Sequence, residues 1–362
     1  MSKKEIIEEL RSKMGDSQEE NAAFLKKETE RFIKEGNAEG IEAAGELILE
    51  NMPDSQKAEI ERLTTIDGRN LDELYREVAD LINKKQFVEA KAIAERLYKK
   101  IITDYKNTDK ARFVSLRNPF EDNFYQIKFK PEQTLNRTPF DFAEYITSYA
   151  YLLVETGSPL DAIPILETAM EYNPVDCGPY FELAEVYKLL KNKKQVIETT
   201  KKTLELASSP VAIARCYANM GYILVEMGEY EDAACFYTAS VIFAPDPHIP
   251  LEMQEIANRS GKPVRHPERE QIVEAMKKYG MEFGPNEEVL SVCAQLSIHF
   301  LSVNDIPNAL QALKMTYNLT RDEKIKEIIL KYDPKAERLV PKQEKLNEDG
   351  KPNITQTINE NK

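Results

Sequence analysis

The sequence lacks several features that would assign it to common classes of protein. No apolar run approaches the ~20 residues that a membrane-spanning helix needs. The N-terminal stretch MSKKEIIEELRSK has no hydrophobic core, so we expect no secretory signal. A basic excess is also missing, because the formal net charge is −13 and most lysines and arginines are interleaved with glutamates. This pattern disfavours nucleic acid and membranes as partners.

Cysteine and histidine are scarce, with four and three residues respectively among 362. No Cys-X-X-Cys or His-Glu-X-X-His spacing occurs, and no histidine stands beside a recognisable nucleophile. We therefore expect no metal, no cofactor and no catalytic site, and we expect cysteines buried as small hydrophobes in a reduced cytosol. A redox pair of Cys216 and Cys235 is the alternative for two of them.

Small residues recur with a fixed spacing in two 34-residue units, 143–176 and 214–247. Both units have a small side chain at the eighth, twentieth and twenty-seventh positions, a glycine at the fifteenth and a proline at the thirty-second. The residues are Ala150, Gly157, Ala162, Ala169 and Pro174 in the first unit and Gly221, Gly228, Ala233, Ser240 and Pro245 in the second.

Each position has a physical reason. Small side chains at the eighth, twentieth and twenty-seventh positions let two antiparallel helices pack closely. A glycine at the fifteenth position ends the first helix in the left-handed conformation, and the proline ends the second helix because it lacks an N–H. The alternative is an ordinary helical bundle in which alanines recur by chance.

The spacing resembles the tetratricopeptide repeat (TPR) family. Weaker copies begin at Leu71, Cys177 and Leu290, so the resemblance covers about residues 71–325 with interruptions. The family's tryptophan at the fourth position is absent throughout, and this chain has Leu74, Ile146, Tyr180, Tyr217 and Cys293 there. The resemblance implies an all-α fold in which helical hairpins stack into a superhelix, or solenoid, with a concave groove.

One segment, 112–130, does not follow the helical pattern. Apolar and polar residues alternate on both sides of the sequence NPFEDN, which predicts a small β-hairpin rich in phenylalanine. We consider two roles for it, a structural plug between parts of the chain and a part of the binding surface. The apolar composition favours the plug.

The domain organisation predicted from these patterns has three parts. Residues 1–66 form an irregular helical cap, residues 67–338 form the repeat array, and residues 339–362 form a disordered polar tail.

Transfer of the family's groove positions gives a set of candidate binding residues. In TPR proteins these positions lie mainly on the first helix of each hairpin. The candidates are Tyr151, Val154, Phe181, Lys188, Arg215, Tyr222 and Ile298. The family's two-carboxylate clamp is not present, because Thr147 and Phe181 occupy the fifth position and Tyr151 and Glu185 the ninth.

The sequence therefore predicts a non-enzymatic cytoplasmic scaffold that binds a protein or peptide segment in its groove. One alternative is a peptide-responsive regulator, as in bacteria, that acts through residues 1–66. That region lacks the basic and amide cluster of a DNA-reading helix. A hydrolase built on a helical toroid is a second alternative, and it would require an inward-facing pair of carboxylates.

Overall fold

The computed structural model describes residues 2–338 and shows an all-α chain. The predicted tail, 339–362, lies outside the described residues. Two compact units divide the chain, one ending at Lys106 and one beginning at Asn107. The predicted division into cap, array and tail stays a prediction.

The first unit contains six helices and one short antiparallel strand pair. Leu25 and Leu47 are fully buried in a core built by α1 to α3, and α5 and α6 pack as an antiparallel hairpin. The strands join through Asp67 and Gly68, both left-handed. The elements are α1 (Lys3–Ser12), α2 (Gln18–Glu35), α3 (Ala38–Asn51), α4 (Asp54–Thr64), β1 (Thr65–Ile66), β2 (Arg69–Asn70), α5 (Leu71–Asn83) and α6 (Phe87–Asp104).

The second unit begins with a strand–helix–strand segment and continues as paired helices. The elements are β3 (Ala111–Val114), α7 (Pro119–Phe129), β4 (Thr134–Arg137), α8 (Phe142–Glu155), α9 (Pro159–Tyr172), α10 (Cys177–Leu189), α11 (Lys193–Leu206), α12 (Pro210–Met227), α13 (Tyr230–Phe243), α14 (Ile249–Ser260), α15 (Arg269–Lys278), α16 (Glu287–Ser302), α17 (Ile306–Thr320), α18 (Glu323–Tyr332) and a short 3-10 helix (Pro334–Arg338). Helix pairs α8–α9, α10–α11, α12–α13 and α16–α17 are hairpins whose helices contact along their length.

The predicted repeat spacing is confirmed. Ala150, Ala162 and Ala233 are completely buried between paired helices. At Gly221 the helices of the α12–α13 hairpin approach so closely that a Cβ atom would lie 2.8 Å from the Tyr237 ring. The steric requirement inferred from the sequence is therefore real, and this is a TPR-type repeat fold.

The backbone also confirms the weaker copies. All five predicted repeats have a left-handed residue at the fifteenth position, although only two of these residues are glycine: Lys85 (φ 59°), Gly157 (φ 86°), Lys191 (φ 54°), Gly228 (φ 82°) and Asn304 (φ 56°). Gly261, at φ 68°, ends α14 in the same way. Because a non-glycine residue is strained in this conformation, its recurrence marks the same helix end in every copy.

The predicted β-hairpin at 112–130 is wrong. Strand β3 is followed by α7, and β3 then pairs in parallel with β4, which lies beyond the predicted hairpin. The sequence NPFEDN is a helix start rather than a turn, because the Asn118 side chain accepts a hydrogen bond from the Glu121 N–H and Pro119 occupies the first helical position. The aromatic rings are spaced for a helix, with Phe120 stacked on Phe124 at 5.4 Å.

Helix α7 acts as a packing element of the second unit. Phe120, Phe124 and Tyr125 lie in the same buried cluster as residues of α12, α13 and α16. Lys128 at its end forms ion pairs with Glu205 of α11 at 3.1 Å and Glu288 of α16 at 3.3 Å. These contacts place α7 in the core of the second unit, and the choice between a plug and a part of the binding surface stays a prediction.

A charged cluster anchors this segment at its other end. The Arg117 guanidinium lies 3.0 Å from Glu121, 3.1 Å from Asp176 and 3.8 Å from Asp141. Asp141 caps α8, and burial raises the pKa of its carboxyl from 3.8 to about 6 although Arg117 opposes the rise.

We predict that Gly221→Ala lowers the free energy of unfolding by about 1–2 kcal/mol, because overpacking against Tyr237 outweighs the gain in helix propensity. The matched control is Gly45→Ala in α3, where a Cβ would meet no atom within 4 Å. The control variant should be as stable as the native chain or slightly more stable. Urea unfolding followed by circular dichroism measures both, and an equal response of the two variants contradicts the steric account.

We predict a pH-dependent effect of Asp141→Asn. The pKa of Asp141 is raised in the folded chain, so ionisation of this residue lowers the free energy of unfolding. This loss grows between about pH 4 and pH 6, is complete above pH 6 and is absent at lower pH. Asparagine still caps the helix and never ionises. The stability of the variant relative to the native chain should therefore rise from pH 4 to pH 7, by up to about 3 kcal/mol. Urea titrations across this range measure the difference, and a constant difference contradicts the assignment.

Candidate functional site

The first helices of three consecutive hairpins, α8, α10 and α12, carry six of the seven candidate residues. We call the surface formed by Tyr151, Val154, Phe181, Lys188, Arg215 and Tyr222 the first-helix face. Within each hairpin the first helix packs along the second, so these side chains belong to a rigid element. The face is built on the repeat spacing described above.

Lys188 is the centre of one part of this face. Its Nζ atom donates to Glu185 Oε1 at 2.8 Å and to Asn219 Oδ1 at 2.7 Å. The same ammonium group lies 5.1 Å from the centre of the Tyr222 ring, within the range of a cation–π interaction. These contacts join α10 to α12 and hold Tyr222, whose surface is 37% exposed, at the surface of the face.

Arg215 makes the second connection between the same two helices. Its guanidinium lies 4.4 Å from the centre of the Phe181 ring, and Phe181 is buried beneath it. Glu182 and Glu185 lie 3.6 and 3.9 Å away, which makes loose ion pairs. The structure thus brings Phe181, Lys188, Arg215 and Tyr222 into one continuous group.

The remaining candidates are placed differently. Tyr151 lies on α8, where burial and the neighbouring carboxylates Glu155 and Glu182 raise the pKa of its phenol. Val154 is half-buried one turn further along α8. Ile298 lies on α16, outside the three hairpins that carry the other six, and is 70% exposed.

Asn219 is a residue of this face that the sequence analysis missed. It is 4% exposed, and its Oδ1 atom accepts the hydrogen bond from Lys188. Its Nδ2 atom is buried and has no hydrogen-bond partner among the described residues. The sequence signal is a single amide between apolar residues in the stretch CYANMGY of a buried helix.

An unpaired buried donor of this kind costs about 1–3 kcal/mol. Four other buried side-chain atoms within residues 2–338 lack a partner, and none of them lies on α8, α10 or α12: they belong to Asn107, Thr200, Thr238 and Tyr317. Asn219 is therefore the one residue of α8, α10 and α12 with a buried side-chain donor that has no partner among the described residues.

The face continues towards α14. Glu226, at the end of α12, pairs with Arg259 of α14 at 2.7 Å, and Arg259 also pairs with Glu255. Glu252 of α14 accepts a hydrogen bond from the Tyr237 hydroxyl at 2.9 Å. Charged and aromatic side chains thus continue from α12 to α14.

The cysteines have no role in this surface. Cys216, Cys235 and Cys293 are buried and unbridged. Burial raises the pKa of the Cys177 and Cys293 thiols to about 12. Within residues 2–338 no group of three or more metal-ligating side chains is found, and none of the helices there is long and apolar enough to cross a membrane.

Comparisons with known proteins give distant structural likenesses. No protein-family model matches the sequence, and no curated protein matches it. The crystal structure of the P58(IPK) TPR domain matches with 13% identity and a TM-score of 0.33, over 88% of this chain and 80% of that one. The structure of the APC/C hetero-tetramer Cut9–Hcn1 matches with 14% identity and a TM-score of 0.31, over 85% of this chain and 60% of that one. These likenesses carry no argument at such scores, and the TPR-type fold rests on the repeat spacing and the helix ends.

We predict that substitution by leucine destabilises the protein far more at one buried asparagine than at another. Asn173 is fully buried and donates to Ser115 O at 3.1 Å and to Glu121 Oε2 at 2.9 Å, so Asn173→Leu should cost about 3 kcal/mol or more. Asn219→Leu should change the free energy of unfolding by less than about 1 kcal/mol, because it removes an unpaired donor together with one hydrogen bond. Urea unfolding measures both, and a large loss for Asn219→Leu would show that this amide serves stability instead of binding.

Proposed function

We propose that this protein is a non-enzymatic scaffold that binds a segment of a protein or peptide partner across the first-helix face. The observation that carries the proposal is the group of aromatic and cationic side chains that joins α10 to α12. Arg215 is stacked on Phe181, and Lys188 lies 5.1 Å from the centre of the partly exposed Tyr222 ring.

The surrounding side chains suit such a segment. Tyr222 is partly exposed, and it is oriented by Lys188 before any ligand arrives. Arg215 is likewise stacked on Phe181. Aromatic residues and arginine contribute a disproportionate share of binding energy when they are held rigid.

The same arrangement explains why we propose binding in preference to chemistry. Arg215 and Lys188 are engaged with carboxylates, and the phenols of Tyr151 and Tyr222 have raised pKa values, chiefly through burial. A general base or nucleophile would need the opposite shift or a free neighbouring base. We propose the cytoplasm as the site of action, with the partner a protein or peptide.

The experiment compares partner capture by three forms of the full chain in extracts of its own cells. Tyr151→Ala/Tyr222→Ala alters the face. Leu160→Ala/Ile242→Ala alters two residues of second helices that are 65% and 58% exposed. The four positions are partly or largely exposed, so both variants should remain folded, and thermal unfolding checks this.

We expect the native chain and the second-helix variant to capture the same partner. The Tyr151→Ala/Tyr222→Ala variant should lose at least nine-tenths of it, which corresponds to roughly 1.4 kcal/mol of binding free energy. Equal capture by all three forms overturns the assignment of the face.

A further inference from the structure

One guanidinium is shared by three carboxylates where the segment β3–α7–β4 meets the paired helices. Arg117 lies in the loop between β3 and α7, and its neighbours are Glu121, Asp176 and Asp141, at 3.0, 3.1 and 3.8 Å. Glu121 belongs to α7, whereas Asp141 caps the N-terminus of α8 and Asp176 that of α10. The cluster therefore joins the segment to the start of two first helices. Its three carboxylates exceed its single cation by two charges when all are ionised.

The three carboxylates differ in how well their negative charge is stabilised. Glu121 accepts four hydrogen bonds, two of them from Arg117. Asp176 accepts a backbone N–H at 3.0 Å and lies 3.1 Å from the guanidinium. Asp141 accepts one hydrogen bond within the described part of the chain, from a backbone N–H at 3.1 Å, and it is the carboxylate farthest from Arg117. Of the three, Asp141 is the one on which a proton is most readily held.

The surroundings of Asp141 act in the same direction. Its side chain is 18% exposed. Desolvation raises the pKa of this carboxyl from 3.8 to about 6, and the charges of Glu144 and Asp176 add to the rise while Arg117 opposes it. The other titratable or charged groups around the cluster are Glu121, the Cys177 thiol, whose pKa burial raises to about 12, and the ion pair of Asp122 with Arg137.

The loop that carries Arg117 is tied to the start of α8 beside this carboxyl. The Ser115 hydroxyl accepts a hydrogen bond from the Phe142 N–H at 3.1 Å, and the Ser115 N–H donates to Tyr172 O at 2.7 Å. Both Ser115 and Phe142 are buried. Exchange of their amide protons with solvent therefore reports whether the joint between the loop and α8 is closed.

We propose that this cluster is a proton-operated latch between the segment β3–α7–β4 and the first helices α8 and α10. With a proton on Asp141, the guanidinium faces two negative charges and the joint is held firmly. Loss of the proton adds a third negative charge, which is repelled by Glu144 and Asp176, and the joint opens locally. The helix cap does not require this charge, because asparagine caps a helix as well as aspartate does. The inference is independent of the proposed function.

Native-state hydrogen exchange, resolved by residue, measures the opening of the joint. Because the pKa of Asp141 is raised in the closed joint, the closed form is favoured at low pH and loses stability as the pH rises through about 6. With a pKa of about 6 when closed and 3.8 when open, the opening constant at Ser115 and Phe142 should rise about tenfold from pH 5 to pH 7, after correction for intrinsic exchange. In Asp141→Asn it should change less than twofold.

A comparison within the native chain separates local opening from unfolding of the whole unit. At pH 7 the opening constant at Ser115 and Phe142 should exceed that of the buried α13 residues Ala233 and Phe236 at least tenfold. Equal constants would mean that the joint opens only on unfolding, and they overturn the latch. A pH response that is absent from the native chain, or equally large in Asp141→Asn, overturns it as well.

The part played by Arg117 has its own test. Its guanidinium favours the ionised form of Asp141, so Arg117→Gln should move the midpoint of the pH response to a higher pH. An unchanged midpoint contradicts a latch built on this guanidinium. If thermal unfolding shows that Arg117→Gln does not fold, the comparison of the native chain with Asp141→Asn decides alone.

Discussion

The close contact between paired helices is the constraint on which the rest of this structure depends. Where Gly221 meets the ring of Tyr237, there is no room for even one additional carbon atom. The same requirement keeps Ala150, Ala162 and Ala233 free of solvent. Hairpins that pack this closely present their first helices in a fixed register, so that Lys188 on α10 reaches both Asn219 and Tyr222 on α12. The candidate surface is thus a consequence of the packing.

The first-helix face has ordered side chains, but its hydrogen bonds and charges are not all paired. Its aromatic and cationic side chains are held by one another, yet Asn219 retains an unpaired buried donor and the carboxylates outnumber the cations. Buried polar groups in natural proteins are generally paired, so the unpaired donor sets Asn219 apart from its neighbours on this face. The segment around α7 contributes to stability rather than to this face. Its aromatic rings are buried in the core, and ion pairs of Arg117 and Lys128 hold its two ends.

The sequence was sufficient to predict the repeats because their strongest signals are steric and local. A glycine that ends a helix and an alanine packed between helices have the same steric role in every repeat. Even Lys85 and Lys191 adopt the left-handed conformation that glycine has at this position in other repeats. The segment 112–130 was misread because alternation over a few residues also fits a helix whose rings are four residues apart. The unpaired donor of Asn219 could not be predicted from the sequence, because it depends on which atoms surround the side chain in the folded protein. The place of Ile298 depends on how α16 packs, which repeat spacing does not determine.

The central claim is that positions 221 and 237 are coupled by direct steric contact, and a double-mutant cycle tests it most directly. Urea unfolding of Gly221→Ala, Tyr237→Ala and the double variant gives the coupling free energy. In the Tyr237→Ala background the added methyl group finds space and improves the helix, so Gly221→Ala should become neutral or stabilising, with a coupling of about 1 kcal/mol or more. A coupling near zero would contradict the account.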